Sequence, residues 1–277
     1  MTTRLLLAVN AAYLLCAQTA AAQAASNQDA AADIIRHSVD RDAYNFERFK
    51  NYTFLERMEE RRYGRNGGLS SKEIETYEFM VLGDRPYGRL VERDDKPLSA
   101  KEARKEQEKL DKEQSKRQRE SASDKAKEDK DRAEQRAYLR EIPEAFNLTV
   151  LGTEQIGGRP VWVIGAQPKR GYKPKLKRAE LLTKLRGKIW VDQADYQWVK
   201  AEVEVIDPIS FGLGLLRLAP GAVLKFEQVR VNEEVWLPSH IGIRADARVA
   251  YLRKLREELD ITYRDYKKFQ ADSRIVE

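Results

Sequence analysis

The sequence predicts an α+β chain with one large curved antiparallel sheet of about ten or eleven strands, helices covering its concave side, and a long charged helical insertion. Three observations point there. Short segments of β-favouring residues recur from residue 52 to residue 266, separated by Gly-, Pro- and Asn-containing breaks. An amphipathic helical segment precedes the first of them. Between them, residues 99–140 lose almost all apolar character.

The chain starts MTTRLLLAVNAAYLLCAQTAAAQAAS. Arg4 supplies a positive charge, residues 5–16 form an apolar run of about a dozen residues, and Ala22-Gln23-Ala24 gives a small-x-small pattern. This is the layout of a cleaved signal peptide, with cleavage expected near Ala24. Residues 25–277 are then expected to form one periplasmic domain. A short membrane anchor is the competing reading, but the apolar run is short for a bilayer. Cys16 is the only cysteine, and Leu15 stands where a lipoprotein signal needs a small residue. After cleavage no thiol remains for a disulfide, a metal or nucleophilic catalysis.

In residues 30–50, Ile35, Val39, Phe46 and Phe49 share a face, with Arg36, Asp40, Arg41, Glu47 and Arg48 between them. Strands follow over 52–58, 76–82 and 88–93, with turns at 64–68 and 83–86. Ser99 and Glu102 have the spacing of a reciprocal helix cap. From there to residue 140 the chain is mostly Lys, Arg, Glu, Asp and Gln. Glu108 with Lys112, Glu113 with Arg117 and Glu128 with Arg132 are favourable i,i+4 pairs, each worth about 0.2–0.5 kcal/mol. The large apolar residues there are Leu110, Tyr138 and Leu139, too few to pack a helix firmly. A single helix of this length would be about 60 Å long, and Ser121-Ala122-Ser123 offers a break into a hairpin. A solvated helix or partly disordered segment is expected, with a lid or partner-docking arm as the functional alternative.

Strands resume over 147–153 and 160–166 around a Gly157-Gly158 turn. A basic segment over 168–185 carries a short helix with Ala179, Leu181, Leu182 and Leu185. Strands 187–192 and 198–206 form the next hairpin. In the second, Val199, Ala201, Val203 and Val205 alternate with Trp198, Lys200, Glu202 and Glu204, giving one buried and one wet face. Residues 209–218 are apolar and glycine-containing, suited to touching a membrane or gating a cavity. Strands over 223–231, 234–237, 241–247 and 259–266 complete the sheet.

The residue inventory argues against catalysis. His37 and His240 are the only histidines, far apart in sequence and expected at the surface, so a zinc or copper site is not expected. The chain contains no nucleophile elbow, phosphate loop or dinucleotide fingerprint. Paired carboxylates for acid-base work are conceivable, but acidic residues on strands normally mark the wet face. The expectation is a non-enzyme without a cofactor. With 51 basic and 45 acidic residues interspersed, the net charge of +6 does not form a basic stripe, so nucleic acid is not an expected partner.

Four tryptophans, Trp162, Trp190, Trp198 and Trp236, all lie in the later strands. A curved sheet with one apolar face and a helix across its mouth encloses space. Filled by side chains, that space is a core; left open, it is a cavity for acyl chains. Sequence leaves both readings standing. If it is a cavity, Phe54, Val199, Val203, Phe226 and Ile243 are the expected lining. Lipid or lipoprotein acyl chains would then be the partners, with at most peripheral membrane contact. The alternative function is an envelope protein–protein interaction or regulatory module acting through the charged arm.

Residues 187–205, GKIWVDQADYQWVKAEVEV, resemble a signature of the periplasmic lipoprotein carrier/receptor-like (LolA-like) superfamily: a G-x-x-W-(V/I)-D hairpin before a strand reading roughly x-Y-x-(V/I)-x-K-x-E. The resemblance implies a half-open β-barrel capped by helices, and a role in carrying, receiving or sensing lipids and lipoproteins. Two departures stand out. The charged segment is much longer than a carrier's lid helix, and the chain lacks the lipid-modified cysteine of an outer-membrane receptor. The resemblance therefore places the chain on a branch apart from the carrier and carries over no functional residue.

Overall fold

The computed structural model describes residues 2–64, 66–82, 85–211, 216–249 and 253–268. The first element is α1 (Thr2–Phe49), whose C-terminal part is the amphipathic segment expected over 30–50. Three strands follow, β1 (Tyr52–Tyr63), β2 (Leu69–Leu82) and β3 (Arg85–Arg93), with the two-residue β4 (Lys96–Pro97). Of the turn expected over 83–86, residues 83 and 84 lie outside the described residues. Then come α2 (Ala100–Gln118), α3 (Ala122–Ala137), a 3-10 turn (Tyr138–Glu141) and α4 (Ile142–Ala145). Strands β5 (Phe146–Ile156) and β6 (Arg159–Pro168) form a hairpin. Its turn needs Gly157 and Gly158 at φ of 57° and 76°, a conformation costly for any side-chain-bearing residue. A 3-10 helix (Lys177–Lys184) leads to β7 (Leu185–Asp192) and β8 (Trp198–Val205). The chain closes with β9 (Ile209–Phe211), β10 (Leu216–Leu218), β11 (Val223–Val231), β12 (Val235–Val249) and β13 (Arg253–Lys268).

The sheet is large, antiparallel and open. Its main path runs β4-β3-β2-β1-β13-β12-β11-β8-β7-β6-β5, with the β9–β10 hairpin attached beside it through β12. The expected α+β class and curved open sheet are what the chain adopts. Two segments expected as separate strands, 234–237 and 241–247, are one strand. Pro238 explains the misreading: it lacks an N–H, and it sits where the β11 register slips from His240 to Pro238. The slip leaves Ser239 bulged rather than ending the strand.

The order also explains the charged segment. Strand β4 and strand β5 stand at opposite edges of the sheet, so the chain between them crosses its whole width. Ten steps between eleven strands at about 4.8 Å are about 48 Å. Helices of 19 and 16 residues at ~1.5 Å per residue supply about 52 Å. The segment is thus a crossover broken in two near Ser121, which caps α3 by accepting from the Asp124 N–H. Its fastening is polar where apolar surface is scarce. Arg117 donates to the carbonyls of Leu82 and Arg85 at 2.8 and 2.9 Å. The Arg85 guanidinium binds both Glu120 and Glu128 at the break. Of the expected helix pairs, Glu113–Arg117 forms at 2.7 Å, while Glu108 pairs with Arg104.

Candidate functional site: an apolar cavity beneath the N-terminal helix

The buried face of α1 follows the helical repeat through Ala31, Ile35, Ser38, Asp42 and Asn45. Its first part is apolar and makes a filled core. Ala31 and Ile35 pack with Leu148, Ile164, Ala166 and Val191. Its second part turns polar, and there the packing opens. A cavity of about 720 Å³ lies between this part of α1 and the sheet, inside the ~300–1,000 Å³ range of small-molecule sites. Phe46 and Phe49 of α1, Tyr138, Leu139 and Ile142 after α3, and Leu181 and Leu182 form its roof. Ala201, Val203, Val205, Phe226, Ile241 and Ile243 form its floor. The alternatives left open by the sequence are both realised, a filled core at one end and a cavity at the other.

Two asparagines hold α1 to the sheet, Asn45 beside the cavity and Asn27 at the filled end. The Asn45 amide donates to the carbonyl of Trp236 at 2.6 Å and accepts from its N–H at 2.8 Å. Asn27 treats Val150 in the same way, at 3.2 and 2.7 Å. Each side chain acts as a surrogate neighbouring strand where the ladder lacks one. Glu141 joins the roof segments to each other. It is buried, and accepts from the Tyr172 hydroxyl and from the N–H groups of Lys175 and Leu176. Burial pushes its carboxyl up, but those three donors outweigh it and hold it below the usual range.

Of the expected lining, Val203, Phe226 and Ile243 border the cavity, and Phe54 and Val199 stand elsewhere. Phe54 lies behind the wall, stacked on Phe79 and against Phe49 and Tyr263. Val199 is turned away by a bulge. Trp190 pairs with Lys200 but Val191 with Trp198, so Val199 is the extra residue. It packs on the opposite face with Val161, Val163, Trp190 and Trp236. Trp198, assigned by strict alternation to the wet side, faces the cavity instead. Gly187 belongs to the floor for a different reason. A Cβ there would lie 2.2 Å from the Glu202 carbonyl oxygen, so only glycine lets β7 and β8 come this close.

The other hairpin residues that carry the resemblance serve the scaffold. Asp192 is fully buried and accepts from Arg159 at 2.6 and 2.8 Å and from the N–H groups of Ala194 and Asp195. Burial opposes its ionisation, yet these donors lower its pKa. The Trp190 indole donates to Glu154 at 2.8 Å, with Lys200 over its ring.

Polar groups gather at one end of the cavity. Asp42 accepts from the Trp198 indole N–H at 2.8 Å and forms an ion pair with Arg136, while Arg136 lies 4.5 Å over the Phe46 ring. Gln228, also at the wall, shares a 3.2 Å hydrogen bond with the buried Gln197. At the other side, Tyr263 is raised well above an ordinary phenol by burial, then by the charge of neighbouring Glu56. Burial likewise raises the Glu56 carboxyl, against the hydrogen bond from Tyr263. Sequence reading missed Asp42 and Asn45. Their spacing from Ile35 and Ser38 on one helical face was the available signal.

His37 is exposed and meets Tyr196 edge-on, and His240 binds Asp260 at 2.8 Å. Among the described residues, no group of three or more His, Cys, Asp or Glu side chains could hold a metal ion. Among them, no helix is long and apolar enough to cross a membrane.

No protein-family model matches the chain, and no curated protein matches it. Solved structures do. The chain is similar to a putative outer membrane lipoprotein-sorting protein domain from Vibrio parahaemolyticus, at 12% identity and a TM-score of 0.34, over 87% of this chain and 95% of that one. It is similar to a LolA superfamily protein from Nitrosomonas europaea, at 12% identity and 0.31, over 87% and 93%. It is also similar to a DUF1329 family protein from Desulfovibrio piger, at 10% identity and 0.33, over 90% and 95%.

Proposed function

We propose that this chain is a non-enzymatic, cofactor-free periplasmic binding protein that transports or senses lipid or acylated protein, holding an acyl chain between α1 and the sheet. The observation that carries this is the cavity itself, enclosed by Phe, Leu, Ile and Val side chains and of ligand size. Each methylene moved from water into such walls contributes about 0.8 kcal/mol. A linear acyl chain therefore gains more here than a polar ligand of equal volume. A signal peptide cleaved near Ala24 would deliver residues 25–277 as one half-barrel domain to the periplasm and leave Asn27 on α1 to clasp Val150. Val203, Phe226 and Ile243 are the lining residues retained in this proposal.

The test is native mass spectrometry of protein isolated from the periplasm, followed by denaturing mass spectrometry of what it releases. A bound lipid mass is expected, along with loss of a fluorescent acyl probe when Val203→Trp fills the floor. A bare protein mass, with no uptake of that probe by the wild type, would refute the proposal.

A second reading is docking of another envelope protein on the charged crossover. The exposure of residues 121–131 favours it. Such binding should weaken with salt and be lost on Lys127→Glu with Lys130→Glu, while acyl-probe uptake persists.

A further inference from the structure

We infer that the ligand is an anionic amphiphile whose carboxylate or phosphate is taken by Arg136 at the polar end of the cavity, with its tail running over Phe226 and Ile243. This rests on the acyl-binding reading above and adds the headgroup to it.

Among the described residues, four charged ones border the cavity: Asp42, Arg136, Arg186 and Lys188. The Arg186 guanidinium is already engaged, donating to both oxygens of Glu204 at 2.9 and 3.0 Å. Lys188 alternates along β7 with Gly187 and Ile189 and so points away from the floor those residues help to form. Asp42 is doubly used, one oxygen accepting from Trp198 and the other from Arg136. Arg136 differs from all three. One of its nitrogens, Nη2, binds Asp42, and its remaining N–H groups have no acceptor among the described residues. The guanidinium carbon lies 4.5 Å from the centre of the Phe46 ring and cannot reach another carboxylate without leaving that contact. Its side chain is 38% exposed while that of Asp42 is 11% exposed, which puts Arg136 at the boundary between water and the apolar interior. A planar donor fork at the mouth of an apolar cavity matches a carboxylate or phosphate attached to a hydrocarbon tail.

The protein supports the fork from behind. Asp42 fixes its orientation, and the Trp198 indole fixes Asp42. Asp42 is therefore a positioning residue that also competes with the ligand for Arg136. Removing its charge has a different consequence from removing the cation, which a purely structural pair would not show.

The measurement is equilibrium binding of three probes with the same sixteen-carbon tail, palmitate, hexadecyl phosphate and hexadecanol, to the wild type, Arg136→Gln and Asp42→Asn. The wild type should bind at least one anion about tenfold more tightly than the alcohol, as a charge-assisted contact requires. Palmitate ahead of hexadecyl phosphate identifies a carboxylate source, and the reverse order a phosphate source. Arg136→Gln should abolish the preference, weakening the favoured anion about tenfold relative to hexadecanol measured on the same variant. Asp42→Asn, which can still accept from Trp198, should strengthen anion binding. Equal binding of all three probes, or equal weakening of all three in both variants, overturns the headgroup assignment and leaves the acyl-binding reading standing. Failure of every probe to bind the wild type overturns both.

Discussion

Two regions of one sheet are held together by different physics. Under the N-terminal part of α1, strands β5, β6 and β7 bring Leu148, Ile164 and Val191 into almost complete burial against Ala31 and Ile35. At the outer ends of β1, β2 and β13 the same antiparallel ladder carries charges instead. Glu59 binds Arg57 and Lys72 at 3.1 Å each and also pairs with Arg61. Arg62 reaches Glu60, Glu73 and Glu257 at 2.5, 3.7 and 3.2 Å. The first region excludes water and is stabilised by close packing. The second keeps its cations about 25–43% exposed, so each pair is screened and modest. The difference shows how a sheet can extend past its hydrophobic core. Cross-strand opposite charges keep the register where no apolar face specifies it.

The comparison can be broken by mutation. Leu148→Ala in the apolar region should cost about 2–5 kcal/mol by cavity creation, read as a drop in the denaturation midpoint. A loss below 1 kcal/mol would mean that the filled core does not dominate stability. Asn45→Ala leaves both Trp236 backbone groups without their partner and should cost about 1–3 kcal/mol. Asn45→Asp should restore only the half of the clasp that accepts from the Trp236 N–H.

Glu59→Gln, in the charged region, should cost about 1 kcal/mol at neutral pH, because its partners remain in contact with water. Its pH dependence sharpens the contrast. Burial alone would raise the Glu59 carboxyl, but Lys72, Arg57 and Arg61 more than reverse that and hold it below its ordinary 4.5. A depressed acid contributes stability above its unfolded value and loses it as pH falls through the folded value. Wild type and Glu59→Gln should therefore draw together in stability as pH falls below 4.5 and through the lowered folded value, measured by denaturant titration. The smallest effect concerns salt. Raising it from 0.1 to 1 M shortens screening from about 10 to 3 Å. Amide exchange should quicken in residues 57–63 and 256–262 while the protected amides of β6 and β7 stay unchanged.

How much was readable beforehand divides along the same line. Local rules sufficed where local chemistry decides. The Ser99–Glu102 cap forms with both of its hydrogen bonds, and the Gly157-Gly158 turn sits in the left-handed region it requires. Alternation along β8 failed at Val199 because a bulge changes parity without any mark in the residue types. Pairing of β13 with β1 joins distant parts of the chain, and nothing local specifies it. That pairing sets the strand order, so the crossover was read as an insertion: its composition shows it is solvated but not what it connects. The polar end of the cavity was hidden for a related reason. Asp42 and Asn45 look like surface residues of a helix until the strand backbone and indole that they bind are in place.

The two asparagine clasps also set an order of events. Asn27 and Asn45 lie 123 and 191 residues from the backbone groups they bind. A chain emerging from its N-terminus presents α1 first, long before Val150 and Trp236 exist to receive it. Contacts this far apart in sequence form late, because the intervening loop must be closed before they can stabilise anything. The helix made earliest is thus seated late, and its apolar stripe waits uncovered until β5 and β12 have been made. In a crowded compartment that interval is when the chain is most open to aggregation and most in need of a chaperone.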